Sequence, residues 1–504
     1  MKQLSKSKYA KFCQCPKCLW MSEYKPEEEV IDPSSEGRFE KGKEVGDLAK
    51  GLLGDYVDVT TKNADDSLDL KAMIQKTQEL MNAGAENICE ASFSFEGHYC
   101  AVDILHQEGK GYAIYEVKSM SYPEFNGKPA KLGKFLPDVA YQKWVLEKCG
   151  VNVTGVYLIC LNSDYVRGDE LELQKLFLIQ DMSEMLGEEY NKVEERQAEA
   201  MALLEQEDEP EMDIWEGCKA PYECGFFKYC SRHLPSPSVF DLYRMRFSDK
   251  LKYYREGLVS YEDIKDEQLT PVRRIQVDCA LTNESHIDKE GIKAFIDGLT
   301  YPLYFLDFET MQLAIPQYEG TKVYQQITFQ YSLHIIEYEG GPLIHKAHLG
   351  VSGTDTRRAL AEQLCEDIPM NVCTLAYNKA FECTRIKELA GWYPDLAEHL
   401  MNIHDNIKDL LVPFAAGQYY LPSMGGSFSI KRVLPSLFPN DPSLDYHNLD
   451  DRVQNGGDAM TIFPKIQYME PEEQKAARTA LLNYCCLDTL AMVRVWEKLK
   501  EALK

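Results

Sequence analysis

At 504 residues the chain is too long for one ordinary domain, so two or three cores are expected. A hydrophobic share of 44% with 11% aromatics excludes a disordered chain, and a formal charge of -26 excludes a generally basic coat for nucleic acid while leaving room for a local basic groove. No apolar run approaches 18 residues and the leading MKQLSKSKYAKFC lacks an apolar signal core, so a soluble, cytoplasmic protein with no membrane partner is expected.

In chain order, cysteines come first. FCQCPKCLW supplies Cys13, Cys15 and Cys18. In a reducing compartment the chain's 16 cysteines point to metal or catalysis before disulfides. RFEKGKEVGDLAKG carries Glu40 and Glu44 on one helical face, and NICEASFSF carries Glu90. In HYCAVDILHQEGKGYAIYEVKSM two apolar runs flank a glycine-rich turn, which predicts a β-hairpin. Asp103 lies on its first strand; Glu116 and Lys118, two apart, share a face of the second. Carboxylates so placed can hold one or two metal ions, and a neighbouring lysine can stabilise charge developing on a phosphate. A structural hairpin can also carry E-x-K on its solvent face. PDVAYQKWVLEKCG is a predicted helix bearing Gln142, and EEYNKVEERQAEAMALLEQEDEPE reads as a charged surface helix. WEGCKAPYECGFFKYCSRH then adds Cys218, Cys224 and Cys230.

This first half resembles the RecB-like branch of the PD-(D/E)XK nucleases, with Asp103, Glu116 and Lys118 on the three signature positions. Glu90 fits an acidic position found ahead of the first signature strand, and Gln142 is similar to the glutamine that follows the core sheet. The chain departs at Leu146, where a tyrosine often follows, and at Gly46, where a metal-binding histidine is frequent; Glu40 and Glu44 are the available substitutes. One early cysteine and three late ones resemble the iron-sulfur staple of this branch. The resemblance implies a 4Fe-4S cluster on Cys15, Cys218, Cys224 and Cys230, with Cys13 and Cys18 as bystanders. Zinc and buried free thiols remain the alternatives, although the Cys-x5-Cys-x5-Cys spacing is looser than the CxxC of common zinc sites.

Residues 236-295 form the expected connector. It opens at SRHLPSPS and continues through the helical, aromatic and basic DLYRMRFSDKLKYYREG, whose Arg244, Arg246, Lys250, Lys252 and Arg255 could line a nucleic-acid path or simply coat an amphipathic helix. From there strands and helices alternate again. YPLYFLDFET reads as a buried strand, yet Asp307 and Glu309 lie on one of its faces. Two carboxylates in a core repel each other and lose hydration unless a cation sits between them, and hard oxygen ligands favour magnesium or manganese. In TLAYNKAFECTRIKELAG, Asn378 and Glu382 share a face if the helix begins near Asn378; in ALLNYCCLDTLAMVRVWEKLK, Tyr484 and Asp488 repeat that spacing. GGSFSIKRVLPSLFP places Ser427, Ser429 and Lys431 at a helix start suited to a phosphate. Asp405 and Asp409 are expected to be structural. Cys485, Cys486, Trp20, Trp144 and Trp496 are expected to pack in the core.

The order Asp-x-Glu on a strand, an acid on a helix and Tyr-x-x-x-Asp near the end resembles the DnaQ-like exonucleases of the RNase H-like superfamily, in the variant with a tyrosine in its last motif. The likeness covers about residues 299-504. It implies that Asp307, Glu309, Glu382 and Asp488 hold two metal ions while Tyr484 orients the attacking water; the chain departs at Glu382, where aspartate is usual. The expected fold class is α/β in two domains: residues 1-235, PD-(D/E)XK-like with a mixed sheet, and residues 296-504, RNase H-like. The whole order resembles a bacterial family fusing these two halves, which implies a metal-dependent nuclease, acting on DNA, in repair or defence. The competing expectations are a nuclease whose C-terminal site alone is active, and a non-catalytic nucleic-acid-binding or assembly protein that retains both folds.

Overall fold

The computed structural model describes residues 2-31 and 35-504. It is a mixed α/β chain of two compact units. The division falls between His233 and Leu234, so the expected connector folds with the second unit, while Leu313–Gln325 joins the first unit from deep within the second unit's sequence. Among the described residues no helix is long and apolar enough to cross a membrane.

The first unit is built on β1 (Leu4–Ser5), β2 (Val57–Asp58), β3 (Asn87–Phe95), β4 (His98–Glu108), β5 (Gly111–Tyr122), β6 (Val153–Asn162) and β7 (Phe177–Asp181). Their order is β2-β3-β4-β5-β6-β7, with β1 pairing in parallel to the start of β4. The sheet is mixed: β3-β4, β4-β5 and β6-β7 run antiparallel, β2-β3 and β5-β6 parallel. The predicted hairpin is β4-β5, closed from Glu108 to Gly111 with Gly109 in the left-handed region, φ 60°, where a residue without Cβ is at ease. Helix Leu136–Lys148 packs on the sheet through Val139, Ala140, Tyr141, Trp144, Val145 and Leu146, and its Trp144 is the core residue its spacing predicts. The charge-rich segment is two helices rather than one, Ser183–Asn191 and Val193–Glu205.

The second unit contains β8 (His286–Ile287), β9 (Leu303–Gln312), β10 (Gln326–Ile336), β11 (Leu343–Leu349), β12 (Cys373–Ala376), β13 (Ile407–Asp409) and β14 (Tyr419–Tyr420). Its main sheet has the order β11-β10-β9-β12-β13, antiparallel on one side of β9 and parallel on the other; β8 and β14 form a separate pair. Alternation along β9 sorts its side chains. Tyr304, Leu306 and Phe308 enter a core with Ile386, Leu389, Leu400 and Ile403 from the helices Ala380–Trp392 and Ala397–Asp405. Phe305, Asp307 and Glu309 point to the opposite face, where Phe305 meets Trp496 edge-on at 5.9 Å. That face is covered by the 31-residue helix Pro471–Glu501, which buries Ala477, Ala480, Leu481, Tyr484, Cys485, Asp488, Ala491, Met492, Val495, Trp496 and Leu499 at helical spacing and also Leu487, Thr489 and Val493, so that it is enclosed on more than one side.

Candidate functional site

The second unit gathers the four predicted acids. Asp307 and Glu309 come from the C-terminal half of β9, Glu382 from the first turn of the helix that follows β12, and Asp488 from the long helix over the same sheet face. β9 and β12 are parallel neighbours, so their C-terminal ends open on one side of the sheet, the usual place for a ligand in an α/β sheet. Glu309, Glu382 and Asp488 are all buried. Burial, then the charges of Asp488, Glu309 and Glu382, push the Asp307 carboxyl well above the usual range. Burial and Asp488 do the same to Glu309, against the pull of Lys431. Burial raises Glu382 to about 8, with Asp409 adding to it, and raises Asp488 to about 6. Burial in a low-dielectric pocket is the common cause, and repulsion by the other site acids adds to it at Asp307 and Glu309. Among the described residues Glu382 Oε2 is buried with no hydrogen-bond partner, which suits an oxygen-seeking cation. The donor set therefore fits hard divalent ions.

Three neighbours of these acids have no signal in motif spacing. Tyr446 donates to Asp488 Oδ1 at 2.6 Å, its ring 6.0 Å from that of Tyr484. Cys485, expected only to pack, is fully buried against Asp307, Sγ to Oδ2 3.6 Å, and lies with Asp307 and Glu309 in a group of ligand atoms within 4.8 Å of one another. Gly456 leaves room beside Glu309: a Cβ there would stand 3.6 Å from Oε2. Lys431 holds its Nζ 5.0 and 5.2 Å over the rings of Tyr446 and Tyr484 and donates to the Gln454 carbonyl at 3.2 Å. Lys431 and Tyr446 line a cleft of about 770 Å³. A second cleft, of about 450 Å³, is lined by Tyr243, Arg244, Tyr377, Asn378, Ser427 and Ser429.

Asn378 is a correction. The helix starts at Ala380, and Asn378 precedes it in the left-handed region at φ 66°, its N–H donating to Asp409 at 2.9 Å; it shares no helix face with Glu382. Asp409 also accepts from the Leu411 N–H at 3.0 Å. Among the connector's cations, Arg246 pairs with Asp249 at 3.2 Å and Lys250 donates to the Phe240 carbonyl, whereas Arg244 reaches the second cleft.

In the first unit Asp103, Glu116, Lys118 and Gln142 also converge. Asp103 accepts from the Val117 N–H at 2.7 Å, and Glu116 is almost fully buried. Sequence reasoning missed Lys6 and Asp138. Lys6 reaches both Glu116 oxygens at 2.9 and 3.1 Å; Lys118 bridges Glu116 and Asp138, each at 2.6 Å; Gln142 donates to Glu116 at 2.8 Å and to Asp138 at 3.1 Å. Burial opposes ionisation of Glu116, but Lys118 and Lys6 outweigh it and hold it at about 2, while burial and Glu116 raise Asp103 to about 7. Both Glu116 oxygens are thus taken by ammonium groups, and this set does not fit a metal ion as it stands. Beside it lies a cleft of about 540 Å³ lined by Gly46, Asp47, Lys50, Glu90, Asp103 and Lys118 among others. A Cβ at Gly46 would meet nothing within 4 Å, so the space for a longer side chain is open; Glu40 and Glu44 are exposed.

The cysteines meet in a small, largely apolar cavity lined by Cys15, Cys218, Cys224 and Cys230 and, against expectation, by Cys18. Helix Pro16–Tyr24 starts directly after Cys15, and one turn returns Cys18 to the same side, its N–H bonding the Cys15 carbonyl at 2.9 Å. The Cys18 thiol is pushed up by its hydrogen bond to Cys224, which in turn is drawn down to about 7. Cys13 faces Arg196 instead, at 3.9 Å. Cys15, Cys18 and Cys218 are buried and Cys224 and Cys230 half-buried; thiols gathered in this way fit a thiophilic metal or cluster, and Met212 Sδ lies 3.3 Å from Cys15 Sγ.

A family model described as a domain of unknown function (DUF2779) matches residues 304–429. The match takes in Asp307, Glu309 and Glu382 and ends before Lys431, Tyr446, Tyr484 and Asp488. The chain is similar to uncharacterized protein UU173 of Ureaplasma parvum serovar 3 (strain ATCC 700970), 24% identical over 181 residues, 33% of this chain and 25% of that protein. The aligned stretch therefore spans a quarter of that relative's length. No solved structure matches.

Proposed function

We propose that the second unit is a metal-dependent nuclease centre of the DnaQ-like, RNase H-like kind, hydrolysing phosphodiester bonds of nucleic acid, with DNA the substrate that the family likeness favours. The observation that carries this reading is the gathering of four carboxyls from three separate segments, Asp307, Glu309, Glu382 and Asp488, whose proton affinity burial raises, with the charges of Asp488 and Glu382 adding to it at Asp307 and Glu309. Magnesium or manganese bound by these four would activate a water and stabilise the leaving oxygen of the phosphodiester. Tyr446 fixes the Asp488 carboxylate by its hydrogen bond, and Tyr484, its ring tilted against that of Tyr446, would orient the attacking water. Lys431 offers its ammonium to a phosphate at the rim, and Arg244 with Tyr243 and Tyr377 offers charge and stacking surface to the strand in the neighbouring cleft.

The RecB-like first unit reads best as a binding and positioning module. Lys6, Lys118 and Gln142 saturate Glu116, and a carboxylate so engaged has no oxygen left for a metal without rearrangement. Its cysteine cavity would hold a 4Fe-4S cluster or, as the alternative, zinc, on four of Cys15, Cys18, Cys218, Cys224 and Cys230. Anaerobic purification separates the two: broad visible absorption marks iron-sulfur, a colourless zinc-containing protein the alternative.

Labelled single- and double-stranded DNA and RNA, incubated with magnesium or manganese, test the function. Cleavage by the wild type, lost in Asp307→Asn and kept in Asp103→Asn, is expected. Loss in both variants makes the first unit catalytic as well. Metal-independent binding without degradation of any substrate would leave a non-catalytic nucleic-acid-binding protein.

A further inference from the structure

The sheet face that carries Asp307 and Glu309 continues across β10 and β11, and a different set of donors stands there. We infer a second, separate metal site in this unit, formed by His334 of β10, His345 of β11 and Cys486 of the long helix, and suited to a zinc-class cation. One ligand atom from each residue lies within 4.8 Å of the other two. Three elements are needed to bring them together. His334 and His345 are directly opposed in the antiparallel ladder, so both side chains leave the sheet on the same face, with ring centroids 4.6 Å apart. Helix Pro471–Glu501 crosses that face. Its Cys485 turns to Asp307, and the next residue, about 100° further round, is Cys486.

The surroundings of the two rings resemble the outer shell of a metal centre. Thr489 Oγ1 lies 2.8 Å from His334 Nδ1, Ser332 Oγ lies 2.9 Å from His345 Nε2, and the two hydroxyls are 2.7 Å apart. Each imidazole therefore has one nitrogen fixed by a hydroxyl and the other outside this chain, the arrangement that sets the tautomer of a ligating histidine. Burial and His345 push His334 down to about 4, and burial lowers His345, so both are neutral near pH 7 and bind a cation without first losing a proton.

Two imidazoles and a thiol form a borderline-soft donor set, which selects zinc over the magnesium or manganese suited to the neighbouring carboxylates. Bonds of about 2.0-2.3 Å in a tetrahedron set ligand atoms about 3.3-3.8 Å apart, so the group closes on an ion by side-chain rotation alone. His345 is exposed on the edge strand β11, which gives an entry path and leaves the fourth position to water. The ion would tie β10 and β11 to the helix that presents Tyr484 and Asp488.

The test is a zinc count. Full-length wild type, His345→Gln and Cys486→Ser are purified, supplied with excess zinc, washed free of loosely held metal and analysed for zinc per chain. The cysteine cavity and the acidic pocket are unaltered in all three proteins, so differences report this site alone. One equivalent fewer in each variant is expected. Cobalt supplied in place of zinc should likewise show less thiolate-to-cobalt absorption in both variants than in the wild type. His345 lies on an exposed edge, and wild-type melting of metal-free His345→Gln checks that its fold is kept. Wild-type zinc content in either folded variant overturns the site.

Discussion

Tyr446 holds Asp488 through a 2.6 Å hydrogen bond inside the acidic pocket, although it belongs to no motif and lies 42 residues away in sequence. Groups that orient a metal-binding carboxylate are worth about 10-100-fold in activity. Tyr446→Phe, which keeps the ring and removes only the hydroxyl, is therefore expected to lower the metal-dependent cleavage rate by about that factor; an unchanged rate would deny the pocket its catalytic role. Glu382 gives a second handle. Its folded value of about 8 lies above the roughly 4.3 of an unfolded glutamate, so the folded chain binds that proton more tightly. Metal-free protein should then gain stability as pH falls through about 8, a contribution absent once Glu382 is ionised at higher pH. Because the Cys224 thiol, drawn down to about 7, works in the opposite direction, the comparison must be with Glu382→Gln. Between pH 8.5 and 7 the wild-type melting temperature should rise relative to that variant, and parallel curves would contradict the burial of an unneutralised carboxyl. Charge-bearing residues of this kind were legible where they sit at motif spacing, as Asp307, Glu309, Glu382 and Asp488 do. Tyr446, Lys6 and Asp138 were not, because a contact between distant segments leaves no mark in either.

The elements follow from periodicity where one face is buried. Alternation in YPLYFLDFET assigns Asp307 and Glu309 to one side of β9, and the i, i+3, i+4 stripe of the long helix sets Tyr484, Cys485 and Asp488 against that side. The helix is therefore both core and scaffold. Leu481→Ala, at a fully buried position one turn before Tyr484, should cost about 2-5 kcal/mol in chemical denaturation and weaken cleavage with it. A loss below about 1 kcal/mol would mean that the helix is not packed as described. At the ends of helices the reading blurs. The charged stretch before Glu205 breaks into two helices at Lys192, and the helix after β12 begins two residues later than Asn378, whose left-handed backbone is fixed by the bond to Asp409. The place of Cys18 in the cysteine cavity was illegible for a related reason: the helix start that returns it to Cys15 depends on Pro16 taking the first helical position, which spacing between cysteines does not express.

On the scale of the whole molecule, the break near residue 235 was legible from the cysteine-rich end of the first half and the prolines after it. The passage of Leu313–Gln325 into the first unit was not. That segment bonds to Arg167 through the Pro316 carbonyl at 3.0 Å and packs Ala314, Ile315 and Val323 with Ile159 and Leu161, contacts set by tertiary structure alone. Each unit holds buried acids, and the difference between them is their counter-charge. Lys6 and Lys118 already neutralise Glu116 through direct ion pairs, whereas the four carboxyls of the second unit make no direct ion pair among the described residues and feel Lys431, at Glu309 and Asp488, and Arg385, at Glu382, through space. An added cation should go to the second unit. Manganese titration of the full-length protein, followed calorimetrically at pH 7.5, measures this directly. Binding by the wild type and by Asp103→Asn, with strong weakening in Asp307→Asn, is the expected result; manganese bound equally well by Asp307→Asn, or by no form of the protein, would contradict it.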